Sequence, residues 1–552
     1  METVHCLEKL PNSILNRIID YLPQQDKLNL LYTNYQFYLN VQPLLYKNLL
    51  FTKATELKCP HTFDESLYTI VGVLNSPLAT DELNNKIYDA RQKILLEALT
   101  INTELCKYIE NIIIEGDYHN DDYIDEIEDV ISSDLLNFLM KNCLNLKRIS
   151  TFNISNFNCI IPQLTNIQLK SLDQFDKILN SKVKELHFDS LNNNSINMDK
   201  FNDTDIISLF NQLDTLTFNS EISQAIILKK LNKIISESNI KHAFTFKNLK
   251  LVCYHLFDDP TNQVCSFLKN IDFTKLKKFE LVLGCDDMTC NCLNNFIKFL
   301  TNQNLNLNSL SLVQKTAHRE HNYTEIFDFH ITELIKQYPK KENLKTLSIR
   351  HAPPNDFNVG DGFEGNYLHR KTLYESIIPL LTGLEKLICP TFLQSISGYE
   401  QMISNLLWNG CDCEHCTDYL PIFDQYILRH QYYDEVKSRM TDMISPILFG
   451  NVGRVLSSRL EEECDMFLDT IPPLNRYWNF HSSSYQITHM ENCHIDKSAF
   501  PPIAICVAHF LQEYVDSIGS MIPGLQRCVL SGVFFDRVSS EESSKNWYCS
   551  DS

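Results

Sequence analysis

The sequence predicts an α/β protein in which a short helical module precedes a long array of alternating helices and strands. In the first fifty residues, apolar residues recur at helical spacing between prolines. From Leu164 onward, an apolar-x-x-apolar-x-apolar pattern recurs nine times, its central copies 30 to 40 residues apart, and most copies follow an amphipathic stretch. One helix and one strand cannot bury their apolar faces alone, so such repeats are typical of an α/β solenoid.

Composition excludes several classes of function. The 552 residues have a formal net charge of −20, which argues against nucleic-acid binding and against docking on anionic membranes, because both need surplus cations. No stretch approaches the ~20 apolar residues that cross a bilayer, and residues 1–11 lack an apolar signal region. The 19 scattered cysteines therefore predict reduced thiols and a cytoplasmic or nuclear protein without membrane insertion.

Three short helices are predicted within residues 5–50. The first lies between Pro11 and Pro23, Asp26 is a suitable N-cap for the second, and the third follows from Tyr35. Helices this short bury only a small core, so we expect the module to pack against a partner or the next domain. The apolar positions of the first helix are Ile14, Leu15, Ile18, Ile19 and Leu22.

This segment resembles an F-box, the three-helix module that docks on the Skp adaptor of SCF ubiquitin ligases. The resemblance rests on the Leu-Pro start, the Leu-x-x-x-Asp-x-Leu step and the N-terminal position. It implies binding of the Skp adaptor and, through it, of a cullin scaffold. The adaptor-binding residues that it implies are Leu10, Pro11, Ile14, Leu15, Ile18, Ile19, Leu22, Asp26 and Leu28.

The repeat pattern resembles degenerate leucine-rich repeats, which implies an irregular leucine-rich-repeat-like α/β solenoid. The alternative is an irregular α/β domain without solenoid geometry. Helices are expected near residues 135–140, 206–213, 225–235, 293–300, 326–338 and 373–381. The nine copies of the strand pattern begin at Leu164, Val183, Leu213, Phe246, Leu276, Leu307, Leu344, Leu384 and Leu525.

These patterns predict that the chain divides into six regions. They are the F-box at 5–50, a helical and acidic linker region at 51–130, the repeat array at 131–400, a Cys-containing insertion or subdomain at 401–500, a terminal repeat or cap at 501–538, and a disordered tail at 539–552.

A cysteine cluster in the insertion is the sharpest candidate for chemistry. Cys411, Cys413 and Cys416 lie within six residues, and His430 follows. Thiolates and imidazoles bind zinc tetrahedrally, so these four residues predict a structural zinc site, for which Cys389 or Cys464 is another candidate fourth ligand. Two alternatives stay open, a cysteine-rich turn with free thiols and a redox or catalytic role. No other cofactor is expected.

A helical docking module followed by repeats is typical of a non-catalytic scaffold, and the sequence contains no P-loop or nucleophile elbow. The resemblance implies an F-box substrate-recognition subunit of an SCF-type ubiquitin ligase, which binds a client through its repeats for ubiquitination. The alternative is a non-degradative F-box protein that binds the Skp adaptor and directly inhibits a small Rab-type GTPase in vesicle traffic. A hydrolase or metalloenzyme that uses the cysteine cluster is a third, remote possibility.

Overall fold

The fold comes from a computed structural model that describes much of the chain. None of the helices in the parts that it describes is long and apolar enough to cross a bilayer. The chain divides into two compact units, Met1–Asn239 (unit 1) and Ile240–Ser552 (unit 2). The described residues are 11–20, 22, 24–52, 68–72, 81–115, 131–150, 165–169, 175–179, 181–188, 198–238, 244–255, 260–285, 291–314, 324–350, 372–389, 413–418, 500–530, 533–538 and 547–549.

Unit 1 begins with three short helices, and further helices alternate with strands. The Asn34 side chain accepts a hydrogen bond from the Phe37 N–H at 2.9 Å and caps the third helix. The Asn202 side chain caps α7 in the same way. The helices are α1 (Asn12–Asp20), α2 (Gln24–Leu31), α3 (Tyr35–Lys47), α4 (Asp81–Ile101), α5 (Ser133–Asn142), α6 (Phe175–Ile178), α7 (Asp203–Gln212) and α8 (Glu221–Ser238), with short 3-10 helices at Thr103–Tyr108 and Met198–Lys200.

The described strands of unit 1 pair in parallel in the order β7-β6-β5-β4-β3-β1-β2. Their apolar side chains stack from strand to strand, as the rings of Phe188 and Phe218 do at 5.2 Å. The strands are β1 (Asn48–Thr52), β2 (Thr69–Gly72), β3 (Asn111–Glu115), β4 (Arg148–Ser150), β5 (Asn166–Leu169), β6 (Glu185–Phe188) and β7 (Thr215–Phe218).

In unit 2 the described strands follow the order β15-β14-β13-β12-β11-β10-β9-β8, parallel from β8 to β13 and antiparallel at β14 and β15. The helices are α9 (Pro260–Leu268), α10 (Cys292–Thr301), α11 (Thr324–Gln337) and α12 (Phe500–Met521), with a 3-10 helix at Lys341–Asn343. The strands are β8 (Asn248–His255), β9 (Lys278–Cys285), β10 (Ser309–Gln314), β11 (Thr346–Arg350), β12 (Lys386–Cys389), β13 (Arg527–Leu530), β14 (Val533–Arg537) and β15 (Trp547–Cys549).

The α/β prediction is confirmed, and each of the nine pattern copies coincides with one strand from β5 to β13. The expected helix at 373–381 differs in detail. It consists of a π-helical turn, Leu373–Ile377, followed by a 3-10 helix, Ile378–Leu380. Pro379 lacks the N–H that a continuous α-helix would need there.

The region at 51–130, expected as a helical and acidic linker region, also contributes strands to the sheet. β1 starts directly after α3 and pairs with both β2 and β3. Helical structure is present in this region as α4 and the following 3-10 helix. The acidic run at 117–129 lies outside the described residues.

The prediction of a disordered tail at 539–552 does not hold for β15. Trp547 is 3% exposed and lies against Gly519 of α12, where a side chain larger than hydrogen would overlap the indole. Burial of this large apolar ring explains why a Ser- and Glu-rich segment contributes a strand. Most of the expected insertion at 401–500 lies outside the described residues.

Candidate functional site

The three N-terminal helices enclose a small apolar core of their own. Leu15 and Ile19 of α1 pack with Phe37, Val41 and Leu45 of α3, and all five are at most 6% exposed. Side chains around this core, including Leu28, are partly buried against it. α1 therefore buries the side that carries Leu15 and Ile19 to hold the module together.

Polar contacts fix this module to the rest of unit 1. The side-chain oxygen of Gln24 accepts a hydrogen bond from the Ile70 N–H of β2 at 3.0 Å. At the end of α3, the Lys47 carbonyl accepts one from the Glu110 N–H at 3.0 Å. These contacts agree with the expectation that the short helices pack against the next part of the chain.

Apolar side chains on α1 and α3 remain exposed outside this core. Ile14 and Ile18 are 47% and 39% exposed and lie four positions apart, on one face of α1. On α3, Tyr35 and Leu39 are 73% and 51% exposed at the same spacing, and Tyr32 just before α3 is 82% exposed. We call these five residues the exposed apolar set; contiguous apolar surfaces are typical of sites that bind partners.

The exposed apolar set contains five of the twelve large apolar side chains that are exposed within the described residues. The set is therefore concentrated in the N-terminal module.

Burial raises the pKa of the nearby Tyr46 phenol, as does Tyr38 beside it, so Tyr46 is neutral near pH 7.

The predicted adaptor-binding residues fall into two groups. Ile14 and Ile18 are exposed, as are Pro11 and Asp26, whereas Leu22 and Leu28 are half-buried. Leu15 and Ile19 are buried in the core of the module, so they support its fold and are not available for direct contact with a partner. Leu10 lies outside the described residues.

In unit 2, the structure brings two of the predicted metal ligands next to a third residue. The Sγ atoms of Cys413 and Cys416 lie 3.5 and 3.3 Å from Nδ1 of His509, and all three ligand atoms lie within 4.8 Å of one another. Cys416 is buried, and the other two residues are half-buried. The remaining predicted ligands, Cys411 and His430, lie outside the described residues.

The other candidate ligand within the described residues, Cys389, is a core residue of β12. It is fully buried, and burial raises its pKa to about 12, so its thiol is protonated. Cys528 in the neighbouring strand β13 is likewise buried with a raised pKa. Neither residue belongs to the group of ligand atoms formed by Cys413, Cys416 and His509.

Sequence reasoning missed His509 and the α3 part of the exposed apolar set. No local spacing connects His509 to the cysteines, because it lies 93 positions after Cys416. Tyr35 and Leu39 carried a usable signal, since their spacing of four places them on one side of α3 and Phe37 and Val41 on the other.

Comparison with known proteins gives one informative similarity. The chain is 36% identical over 277 residues to the Non-SCF-type F-box protein ROY1 of Saccharomyces cerevisiae, which covers 49% of this chain and 50% of that protein. The chain thus matches about half the length of the curated relative. No family model matches the chain. The similarity agrees with the resemblance read from the N-terminal residues.

Proposed function

We propose that this chain is an F-box protein, as its similarity to ROY1 supports, and that it binds a Skp-type adaptor and acts on a client directly, without a cullin ligase. An F-box relative indicates an adaptor-like, non-enzymatic role at the coarse level. The client that we propose is a small Rab-type GTPase, which the bound chain would inhibit.

The exposed apolar set is the observation that carries the adaptor part of the proposal. Ile14 and Ile18 form an apolar strip on α1 that the helix does not need for its own core, because Leu15 and Ile19 fill that core. Contact with an adaptor would remove this strip from water, which favours association. We therefore assign α1, α2 and α3 as the F-box, with Ile14 and Ile18 as its contact residues on α1.

The name of the relative favours the direct mode of action, since that protein is described as non-SCF-type. The competing hypothesis is an SCF substrate receptor, which needs the cullin to bring the client to a ubiquitin-conjugating enzyme. The two hypotheses differ in what binds together with the adaptor. They also differ in whether the client is degraded.

Direct inhibition requires that the chain bind one state of the client more tightly than the others. A GTPase fits this requirement because its nucleotide-free, GDP-bound and GTP-bound states differ in their switch segments. We place the client on the helix–strand repeats, which we propose to stack as a leucine-rich-repeat-like solenoid. The cytoplasmic or nuclear location and the absence of nucleic-acid binding remain predictions from the composition of the sequence.

The test replaces the α1 contact residues in the full chain by the double variant Ile14→Glu/Ile18→Glu. Both side chains are roughly half exposed, so each stands to bury about 1 kcal/mol of apolar surface in a complex. Losing both should weaken adaptor binding by about 30-fold or more in a titration with purified adaptor. The matched control is Ile101→Glu at the end of α4, where an isoleucine is 86% exposed outside the module.

Unchanged adaptor affinity in the double variant, with the fold intact by circular dichroism, would refute the assignment of this surface. Affinity purification separates the two modes of action. We expect to recover the adaptor without cullin. We also expect the level of the client to stay unchanged and nucleotide exchange on a Rab-type GTPase to be slowed. Adaptor recovered together with cullin, and a client that accumulates in the double variant, would favour the SCF hypothesis instead.

A further inference from the structure

We infer that Cys413, Cys416 and His509 are ligands of a structural zinc ion that joins the start of the insertion to α12. This site differs from the one that the sequence predicts, because His509 takes the place that spacing assigned to His430. It does not rest on the proposed adaptor surface, which lies in unit 1, whereas all three residues belong to unit 2.

The interatomic distances are those of a zinc coordination sphere. With Zn–S bonds of about 2.3 Å and Zn–N bonds of about 2.0–2.1 Å, tetrahedral geometry places a sulfur and a nitrogen ligand about 3.6 Å apart. The two distances from His509 Nδ1 to the sulfurs are 3.5 and 3.3 Å. One ion can therefore lie within bonding distance of all three atoms without a large rearrangement.

Hydrogen bonds alone explain this arrangement less well. A single imidazole Nδ1 either donates one proton or offers one lone pair, yet two sulfurs approach it at almost equal distance. The Cys416 N–H also donates to Cys413 Sγ at 3.4 Å, a contact that is strongest when the acceptor is a thiolate. Two thiolates and one imidazole converging on one point are a ligand set that zinc binds well.

The local structure presents both cysteines to one side. Cys413 precedes a short helix at residues 414–418, and Cys416 is the third residue of that helix, so the C-x-x-C spacing of about one helical turn brings the two sulfurs together. His509 lies in α12, whose Leu511 and Val515 are fully buried. The ion would thus be held between a short helix and a helix that is already packed into unit 2.

The position in the fold indicates what the ion does. Cys413 and His509 are 96 positions apart, and the chain between them separates β12 from α12 and β13. A bond between the two ends of such a long segment removes much of its loop-closure entropy from the unfolded chain. We assign the site a structural role: it holds the ends of the insertion together where the sheet resumes with β13.

The full chain, purified from cells grown with zinc, tests the site by metal analysis. We expect about one zinc per chain, which is lost in Cys416→Ser and in His509→Ala. His415→Ala is the matched control, because its ring lies 6.4 Å from that of His509 but is not part of the ligand set, and it should keep the metal. His509→Cys should also keep it, since a thiolate can replace the imidazole.

Cobalt uptake by the wild-type protein provides a readout that does not depend on whether the variants that lose a ligand fold. After the zinc is removed with a chelator, wild-type protein should take up Co²⁺ and show the intense absorption of a tetrahedral thiolate site, and His509→Cys should shift that spectrum. Wild-type protein that contains no zinc and takes up no Co²⁺ would overturn the inference. So would a disulfide between Cys413 and Cys416 under reducing purification, or full zinc content in folded His509→Ala.

Discussion

Substitution of Glu280 by glutamine is expected to destabilise unit 2 strongly. Glu280 lies in the middle of β9 and is 1% exposed. Its carboxylate contacts Lys250 of β8 at 2.7 Å and Arg350 of β11 at 2.8 Å, and these two side chains are only 18% and 17% exposed. Glutamine keeps the shape but deprives two nearly buried cations of their carboxylate, which typically costs about 3–5 kcal/mol.

The pKa of Glu280 reflects the same interaction. Burial raises this pKa, but the positive charges of Lys250 and Arg350 lower it by more than burial raises it. The net result is a pKa of about 2, against an ordinary value of 4.5. A difference of this size corresponds to about 3 kcal/mol of stability at neutral pH. Because the pKa is lowered in the folded state, the contribution is complete above about pH 5 and is lost as the pH falls toward 2.

Urea unfolding of wild type and Glu280→Gln between pH 6 and pH 3 measures both effects. The difference in unfolding free energy should be about 3–5 kcal/mol at pH 6. It should shrink by about 2 kcal/mol at pH 3, where an unfolded glutamate is mostly protonated and Glu280 is still mostly ionised. The control is Glu385→Gln, whose partner Lys345 lies at 2.7 Å with both side chains more than 40% exposed. Such a pair contributes about 0–1 kcal/mol.

A destabilisation by Glu280→Gln no larger than that of Glu385→Gln would refute this reasoning. A difference between wild type and Glu280→Gln that stays constant from pH 6 to pH 3 would refute the lowered pKa. The second result would mean that the cations are stabilised by other contacts.

Two further substitutions test the packing of unit 2. Gly383→Ala should lower the unfolding free energy by about 1–3 kcal/mol in urea titrations, because the new methyl group would overlap the Glu342 carbonyl. Gly524→Ala, at the equivalent turn before β13, should cost less, since its nearest neighbour is a backbone oxygen at 3.3 Å; equal costs would contradict the first prediction. Tyr338→Phe should cost about 1–3 kcal/mol by the same measurement, because the buried Leu307 N–H loses its acceptor, the phenol oxygen at 2.9 Å, and a neutral effect would show that this bond contributes little.

The repeating strands were predictable because their pattern reflects packing at fixed positions. In the copy at β9, Leu276, Phe279 and Leu281 are all fully buried. The first residue packs below the start of the strand, and the other two alternate along it with side chains on one face. Each copy needs the same three buried positions, so the pattern recurs despite variable spacing.

The earlier strands were missed although β1 and β3 carry the same signal. Ile109, Ile112 and Ile114 have the required spacing at β3, and Tyr46, Leu49 and Phe51 have it at β1. The pattern at β1 overlaps the end of α3. At this point the helical module was expected to end and a linker to begin. Local periodicity does not indicate that a helix leads directly into a strand of the adjoining sheet.

The candidate sites were predictable only in part because they combine local and distant residues. The spacing of Ile14 and Ile18 predicts that they share a face of α1, but not that the core would take Leu15 and Ile19 in their place. Cys413 and Cys416 are linked by a local spacing, whereas His509 joins them through tertiary structure. A single sequence contains no signal for such a contact.

The burial of the strand faces bears on where a client can bind in unit 2. Lys250, Glu280, Ser311 and Ser348 align in register across β8 to β11, on the face opposite Phe279 and Leu281. In an open solenoid this row would be exposed for recognition, yet Glu280, Ser311 and Ser348 are at most 1% exposed. Parallel strands buried on both faces cannot contact a client, so we expect recognition in this part of unit 2 to use helices or loops instead.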